Sequence, residues 1–107
     1  MRATFQYTCD HRAATVRIAG DLDVESGDEL EDLLASLRSI GCTHLELDLS
    51  AITFIDYAVL ELLRRQQRRL RMSGGDLRVV AASRWFAQAC EYAEVDMLLS
   101  ESERPWR

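Results

Sequence analysis

Asp56 and Tyr57 place a carboxylate beside a phenol, at the point where an apolar segment meets an arginine-rich helix pattern. Such a pair could serve a small enzyme as an acid and a phenol. The sequence offers no oriented base and no residues that would enclose a pocket around them. We therefore expect no enzyme activity, and we interpret Asp56 as a helix cap that accepts hydrogen bonds from the free N–H groups of the first turn.

Acidic residues could bind a cation at two other places. Asp21 and Asp23 flank a leucine at the end of a predicted strand, and His44, Glu46 and Asp48 share one side of another strand. Turn formation and helix initiation explain the first group. Strand alternation alone places the second group on a solvated face. We therefore expect neither a metal ion nor another cofactor.

The arginine run at residues 64–71 could bind phosphates. However, the whole chain carries a net charge of −5, and the run includes the inward-facing Leu70. Nucleic-acid binding depends on surplus positive charge, so we expect none and interpret the run as the solvent-facing side of a helix, from which some arginines could meet an acidic partner. Residues 73–77, SGGDL, lack the spacing and the lysine of a phosphate-binding loop.

Length and composition predict one domain, because 107 residues suit a single hydrophobic core. No apolar run approaches the roughly 18 residues of a membrane span, and the first residues show no apolar secretory segment. Cys9, Cys42 and Cys90 are odd in number and have no C-x-x-C spacing. This pattern favours reduced thiols over a disulfide framework or a zinc site. We expect a cytoplasmic protein without membrane insertion.

Hydrophobic periodicity predicts the strands that must position these residues. Residues 4–9 and 14–20 alternate with period two and are joined by a turn, which predicts an antiparallel pair. Residues 43–50 and 76–82 predict two further strands. The first of these ends at Ser50, where a short loop leads to the second helix.

Three helices are predicted between and after these strands. The first has leucines at helical spacing from Leu30, a capping box formed by Ser26 and Glu29, and an end at Gly41. The second runs roughly over residues 58–72, and the third is capped by Ser83. The inward positions of the last two helices are predicted to be Leu60, Leu63, Gln67, Leu70, Phe86, Ala89, Cys90 and Ala93.

The element order ββαβαβα predicts an α/β fold in which strand–helix–strand units pair in parallel. Clean alternation in the first three strands predicts helices mainly on one face, since strands covered on both faces read as continuous apolar runs. We expect a mixed sheet of four to five strands, with residues 95–99 as a last strand or turn. The domain spans residues 1–99, and 100–107 form a loosely held polar tail.

Three stretches of the chain resemble the STAS domain of bacterial anti-sigma factor antagonists. They are GDLDVESGDELEDLL, LELDLSAITFIDYAVLELLRRQQRRLRMSGGDLRVVAAS and FAQACEYAEVDMLL. The resemblance covers about residues 4–99, with the same order of elements. It implies the one-sided α/β fold described above and a role in binding proteins.

In that family, the loop before the second helix typically reads Asp-Ser-[Ser/Thr/Ala]-Gly-Leu, and a partner that is both kinase and anti-sigma factor phosphorylates the first serine. The unphosphorylated form binds that partner and frees the sigma factor. By this resemblance Asp56 and Leu60 match the motif, Ala58 is tolerated, Tyr57 replaces the serine and Val59 replaces the glycine.

The resemblance implies a partner-binding surface around this loop. Residues 20–23 match the neighbouring strand-to-helix loop, and Ser50 lies where many members carry a small polar residue. The phenol oxygen of Tyr57 lies too far from the backbone for a pocket shaped for serine, so no phospho-acceptor is certain. Val59 would place a β-branched side chain where a partner approaches. The implied partner-binding residues are Asp21, Leu22, Asp23, Ser50, Asp56, Tyr57, Ala58, Val59 and Leu60.

The implied partner is an anti-sigma factor or a serine-kinase-like ATPase protein, which the chain would bind constitutively in an unmodified-like state. Alternatively, Tyr57 is a bulky plug that blocks this partner and marks a different one. A second hypothesis makes the chain a non-phosphorylated STAS subunit of a signalling scaffold or a membrane transporter complex. Whether the chain forms a homodimer is left open.

Overall fold

The computed structural model describes residues 1–93. Four strands and three helices follow one another along the chain in the predicted order. The expected strand or turn at residues 95–99 and the tail at residues 100–107 lie outside the described residues. The elements are β1 (Thr4–Asp10), β2 (Ala13–Leu22), α1 (Val24–Ser39), β3 (His44–Ile55), α2 (Tyr57–Met72), β4 (Asp76–Ala82) and α3 (Arg84–Tyr92).

The strands form one mixed sheet in the order β1-β2-β3-β4. β1 and β2 are the predicted antiparallel pair, joined by a tight turn in which His11 has a positive φ of 59°. β2, β3 and β4 are parallel neighbours, because α1 and α2 cross over between them. The carboxyl ends of β2 and β3 therefore lie at the same edge of the sheet, and both lead directly into helices.

One hydrophobic core fills the space between the sheet and the helices. Along β3, alternate residues are buried, while His44, Glu46 and Asp48 face the other side and are partly exposed. The predicted two-layer arrangement is confirmed, because the leucine rows of α1 and α2 and Phe86 of α3 all belong to this core. Its fully buried side chains include Ile18, Leu22, Leu30, Leu34, Leu37, Leu45, Leu47, Leu49, Ile52, Leu60, Leu63 and Phe86.

The start of α1 differs from the predicted capping box. The helix begins at Val24, and its cap is Asp23, which is still in extended conformation and accepts a hydrogen bond from the backbone N–H of Ser26. Ser26 therefore lies within the first turn, where it is 5% exposed. The prediction was wrong because an aspartate directly after a strand is itself a strong cap. The predicted end is confirmed, since Gly41 follows the helix with φ +100°.

β3 is longer than predicted. It continues past Ser50 to Ile55 and leaves Asp56 as the one residue between β3 and the start of α2. The pairing of β2 with β3 shifts register between Arg17 and Ala19 and again between Gly20 and Asp21. These irregularities break the alternation of apolar and polar residues while the strands stay paired. The sequence pattern therefore ends several residues before the strand does.

Candidate partner-binding site

The starts of α1 and α2 lie side by side at the carboxyl edge of the sheet. Leu22, the last residue of β2, is the parallel pairing partner of Ile55, the last residue of β3. The backbone N–H of Asp56 donates a 2.9 Å hydrogen bond to the carbonyl of Leu22. Asp23 and Asp56 are therefore equivalent positions on neighbouring strands, and each begins a helix.

Both aspartates cap the helices that follow them. A carboxylate oxygen of Asp23 accepts the backbone N–H of Ser26 at 2.9 Å, and one of Asp56 accepts the backbone N–H of Ala58 at 3.0 Å. The hydrogen bonds from the backbone and then the side chain of Ser26 lower the pKa of Asp23. Two acidic side chains thus stand beside the positive ends of two helix dipoles. The cap role predicted for Asp56 is confirmed.

Asp21 adds a third carboxylate to this edge. Its oxygens accept hydrogen bonds from the amino group of Met1 at 2.8 Å and from the hydroxyl of Thr53 at 2.6 Å. The amino group and then Thr53 lower the pKa of Asp21. Among residues 1–93, no group of three potential ligands is arranged to hold a metal ion. Asp21 thus contacts Met1 and Thr53, and Asp23 caps α1.

Tyr57 is the first residue of α2 and projects outward. Its side chain is 61% exposed. A hydrogen bond between the hydroxyl and the carboxylate of Glu61 raises the pKa of Tyr57. Glu61 in turn lies 3.6 Å from Arg64. The phenol is thus bonded to Glu61 on its own helix, while Asp56 is engaged with the backbone, so the two do not form the acid and phenol pair considered from the sequence.

Three of the predicted partner-binding residues are buried. Leu22, Val59 and Leu60 are no more than 2% exposed. Val59 faces α1, where a Cβ atom added to Gly27 would lie 2.8 Å from its Cγ2. The expectation that Val59 presents its side chain to a partner is therefore wrong, because the contact between α1 and α2 occupies that side chain. These three residues support the surface from beneath.

Ser50 lies apart from the helix starts. It is exposed on β3, and its hydroxyl donates a 2.6 Å hydrogen bond to Asp48, a residue on the sheet face opposite the helices. This hydroxyl and then the backbone N–H of Ser50 lower the pKa of Asp48. Ser50 lies six positions before Asp56 along the strand, which corresponds to about 15–20 Å. A partner docked on the helix starts would have to be broad to reach Ser50.

Two exposed apolar residues at this edge were not predicted. Val24 is 55% exposed directly after the Asp23 cap, and Phe54 is 49% exposed near the end of β3. Phe54 is also the pairing partner of Asp21. The only signal in the sequence was that Ile52 to Ile55 carries more apolar residues than strict alternation allows. We define the helix-start surface as Asp21, Asp23, Val24, Phe54, Asp56, Tyr57 and Ala58.

The family model described as Mlab, STAS domain matches residues 5–100. The chain belongs to the STAS domain family. This assignment confirms the resemblance seen in the sequence, and the mixed four-stranded sheet with three helices agrees with it. A comparison with curated proteins gives no match.

Solved structures share this fold. The anti-sigma factor antagonist SpoIIAA in its unphosphorylated form is 16% identical, with a TM-score of 0.76 over 92% of this chain and 90% of that one. An anti-sigma factor antagonist from Mycobacterium paratuberculosis is 21% identical, with a TM-score of 0.76 over 89% and 80%. The phosphorylated form of the Bacillus cell fate determinant SpoIIAA is 16% identical, with a TM-score of 0.72 over 92% and 93%.

Within the described part of the chain, no helix is both long enough and apolar enough to cross a bilayer.

Proposed function

We propose that this STAS domain is a regulatory interaction module that binds an anti-sigma factor or a kinase-like ATPase protein through the helix-start surface. The observation that carries the proposal is the pairing of two aspartate-capped helix starts on adjacent parallel strands. This pairing gathers carboxylates and exposed apolar side chains within one small area. A cluster of exposed aromatic side chains within a polar rim is typical of protein interfaces. The likeness to solved structures of anti-sigma factor antagonists supports this choice of partner.

The partner should carry basic groups opposite this surface. Asp21, Asp23 and Asp56 place three acidic side chains within one turn of the two helix starts. Charge complementarity of this kind steers the approach of a partner and fixes its orientation. The apolar side chains of Val24, Phe54 and Tyr57 would provide the buried contact area.

Binding should not be controlled by phosphorylation of the helix start. Tyr57 occupies the position that the resemblance assigns to a serine, and its hydroxyl is bonded to Glu61. A phosphate on this oxygen would place further negative charge beside the Glu61 carboxylate, which is unfavourable. We therefore infer a domain that stays in the binding-competent state and acts in the cytoplasm without enzyme activity of its own.

Calorimetric titration of purified candidate anti-sigma factors, with and without ATP, tests the proposal. Asp23→Asn and Asp56→Asn keep the helix caps but remove the charges, and each should weaken binding about tenfold or more. Asp10→Asn removes the same charge from the last residue of β1, next to the hairpin turn and at the end of the sheet opposite the helix starts. This variant should leave the affinity unchanged. Equal affinities for all three variants would reject the helix-start surface.

Phosphate transfer provides a separate test. The protein is incubated with the same kinases and labelled ATP, and Tyr57→Ser serves as the matched variant that restores a short hydroxyl. Incorporation only into Tyr57→Ser would support the loss of the acceptor. Robust incorporation into the unaltered protein at Ser50 or Tyr57 would defeat the claim of a constitutive state.

A second candidate function keeps the surface and changes the partner. The exposed Phe54 and Tyr57 would suit a permanent subunit interface in a signalling scaffold or a transporter complex, because obligate interfaces are more apolar than transient ones. Co-purification in a stable complex that contains no anti-sigma factor, lost on Tyr57→Ser, would favour this alternative. Size-exclusion of the purified protein would show at the same time whether it forms the homodimer left open by the sequence.

A further inference from the structure

Two of the three cysteines lie close together at the end of the sheet away from the helix starts. The Sγ atoms of Cys9 and Cys42 are 3.6 Å apart, although the residues are 33 positions apart in the chain. Cys9 is exposed near the end of β1, and Cys42 is buried in the loop between α1 and β3. Both are free thiols in the structure.

Backbone hydrogen bonds hold both thiols in place. Cys9 is the pairing partner of Ala14 within the β1–β2 hairpin. The backbone N–H of Cys42 donates to the carbonyl of Leu37 at 2.9 Å, and that of Thr43 donates to the carbonyl of Arg12 at 2.9 Å. The hairpin and the loop are therefore fixed against each other. The two sulfurs, 3.6 Å apart, would have to close to the roughly 2.05 Å of a disulfide.

We propose that Cys9 and Cys42 form an oxidation site, which hydrogen peroxide converts into an intramolecular disulfide. The Cys9 thiolate attacks one oxygen of the peroxide, the O–O bond breaks, and water leaves after proton transfer, so Cys9 becomes a sulfenic acid. The sulfur of Cys42 then attacks the Cys9 sulfur and the S–O bond breaks. The thiol proton of Cys42 joins the departing hydroxide, which leaves as a second water. Two thiols lose two electrons in total, and the peroxide gains them.

The environments of the two sulfurs set the order of these steps. Burial, and then the contact with Cys9, raise the pKa of Cys42. The buried thiol is therefore a poor first nucleophile, and peroxide from solution reaches the exposed Cys9 more readily. Cys42 suits the second step, since its sulfur is already next to the sulfenic acid.

The disulfide would fasten an edge strand to the core. In the described residues, β1 pairs only with β2, and the new bond would join β1 to the loop before β3. The site lies far from the helix-start surface: Ala14 pairs with Leu45 in the sheet, and Leu45 lies ten positions before Ile55 on the same strand, about 30 Å. Oxidation should thus change stability without changing partner binding.

Peptide mapping of the folded, full-length protein tests the proposal. The protein is treated with hydrogen peroxide, alkylated and cut with trypsin without reduction. Cleavage after arginine leaves Cys9 in the peptide 3–12, Cys42 in 39–64, and Cys90 in a third peptide that starts at residue 85. The expected product links 3–12 to 39–64, lowers the intact mass by about 2 Da through loss of two hydrogens, and disappears on reduction.

Variants distinguish this disulfide from other oxidation products. Cys90→Ser should keep the linked peptide and Cys9→Ser should lose it. The melting temperature of the oxidised unaltered protein should rise by about 10–15 °C, as expected when a disulfide closes a loop of this length, whereas that of Cys9→Ser should not rise. Cys9 found only as sulfinic or sulfonic acid, linked to Cys90, or linked to a second copy of the chain would overturn the proposal.

Discussion

Gly27 on α1 and Val59 on α2 form a close contact between the two helices that begin at the helix-start surface. A Cβ atom added to Gly27 would lie 2.8 Å from Cγ2 of Val59, shorter than real Cβ contacts. Val59 is β-branched and 2% exposed, so it cannot rotate away freely. Gly27→Ala should therefore destabilise the fold, although alanine is the better helix former.

The expected magnitude follows from two opposing effects. Replacing glycine with alanine inside a helix favours folding by about 0.5–1 kcal/mol. Overpacking a well-filled site costs about 1–3 kcal/mol. The overpacking cost is larger, so we expect Gly27→Ala to lower the free energy of unfolding by about 1 kcal/mol. In a Val59→Ala background both γ-methyl groups are gone, and the same substitution should raise the free energy of unfolding by about 0.5–1 kcal/mol.

Urea denaturation followed by far-ultraviolet circular dichroism measures all four proteins of this cycle. Val59→Ala alone should cost about 2 kcal/mol through lost burial and the cavity it leaves. The decisive quantity is the difference between the Gly27→Ala effects in the two backgrounds, which should have opposite signs. Contributions that are common to both backgrounds cancel in this difference. Additive effects, with Gly27→Ala stabilising or destabilising both backgrounds equally, would refute the close contact.

The stability of the fold should also depend on pH and on the buried amide of Gln67. Because the pKa of Asp48 is lowered in the folded state, its carboxylate stabilises the fold at pH values above the unfolded pKa of about 3.9. This stabilisation is lost as the pH falls through the lower folded pKa. The free energy of unfolding should therefore fall between about pH 5 and pH 2, and Asp48→Asn should flatten that fall; an unchanged slope in urea titrations would contradict this. The buried side-chain amide of Gln67 donates 2.9 Å to the carbonyl of Leu77. Gln67→Leu should cost about 1–2 kcal/mol in urea denaturation by removing this bond, and a gain in stability would contradict it.

Elements with regular periodicity were predictable from the sequence, and the places where periodicity breaks were not. The leucine row of α1 and the alternation in β2 each follow from one buried face. The last five residues of β3 were missed because the paired strands shift register there, so apolar residues no longer alternate. Phe54 was missed for the same reason. The start of α1 was misplaced because the local capping-box pattern competed with Asp23, and only the end of β2 decides between them.

The residues of the helix-start surface could be named in part from the sequence, but their exposure could not. The loop resemblance points equally to Tyr57 and Val59, although one is 61% exposed and the other is 2% exposed. Helical geometry turns neighbours two positions apart to different sides, and the position of α1 determines which side is covered. Gly27 lies more than thirty residues earlier in the chain and makes the room for Val59. Of the two residues that depart from the family motif, Val59 is thus accommodated by the helix packing, and Tyr57 remains as the substitution that a partner would meet.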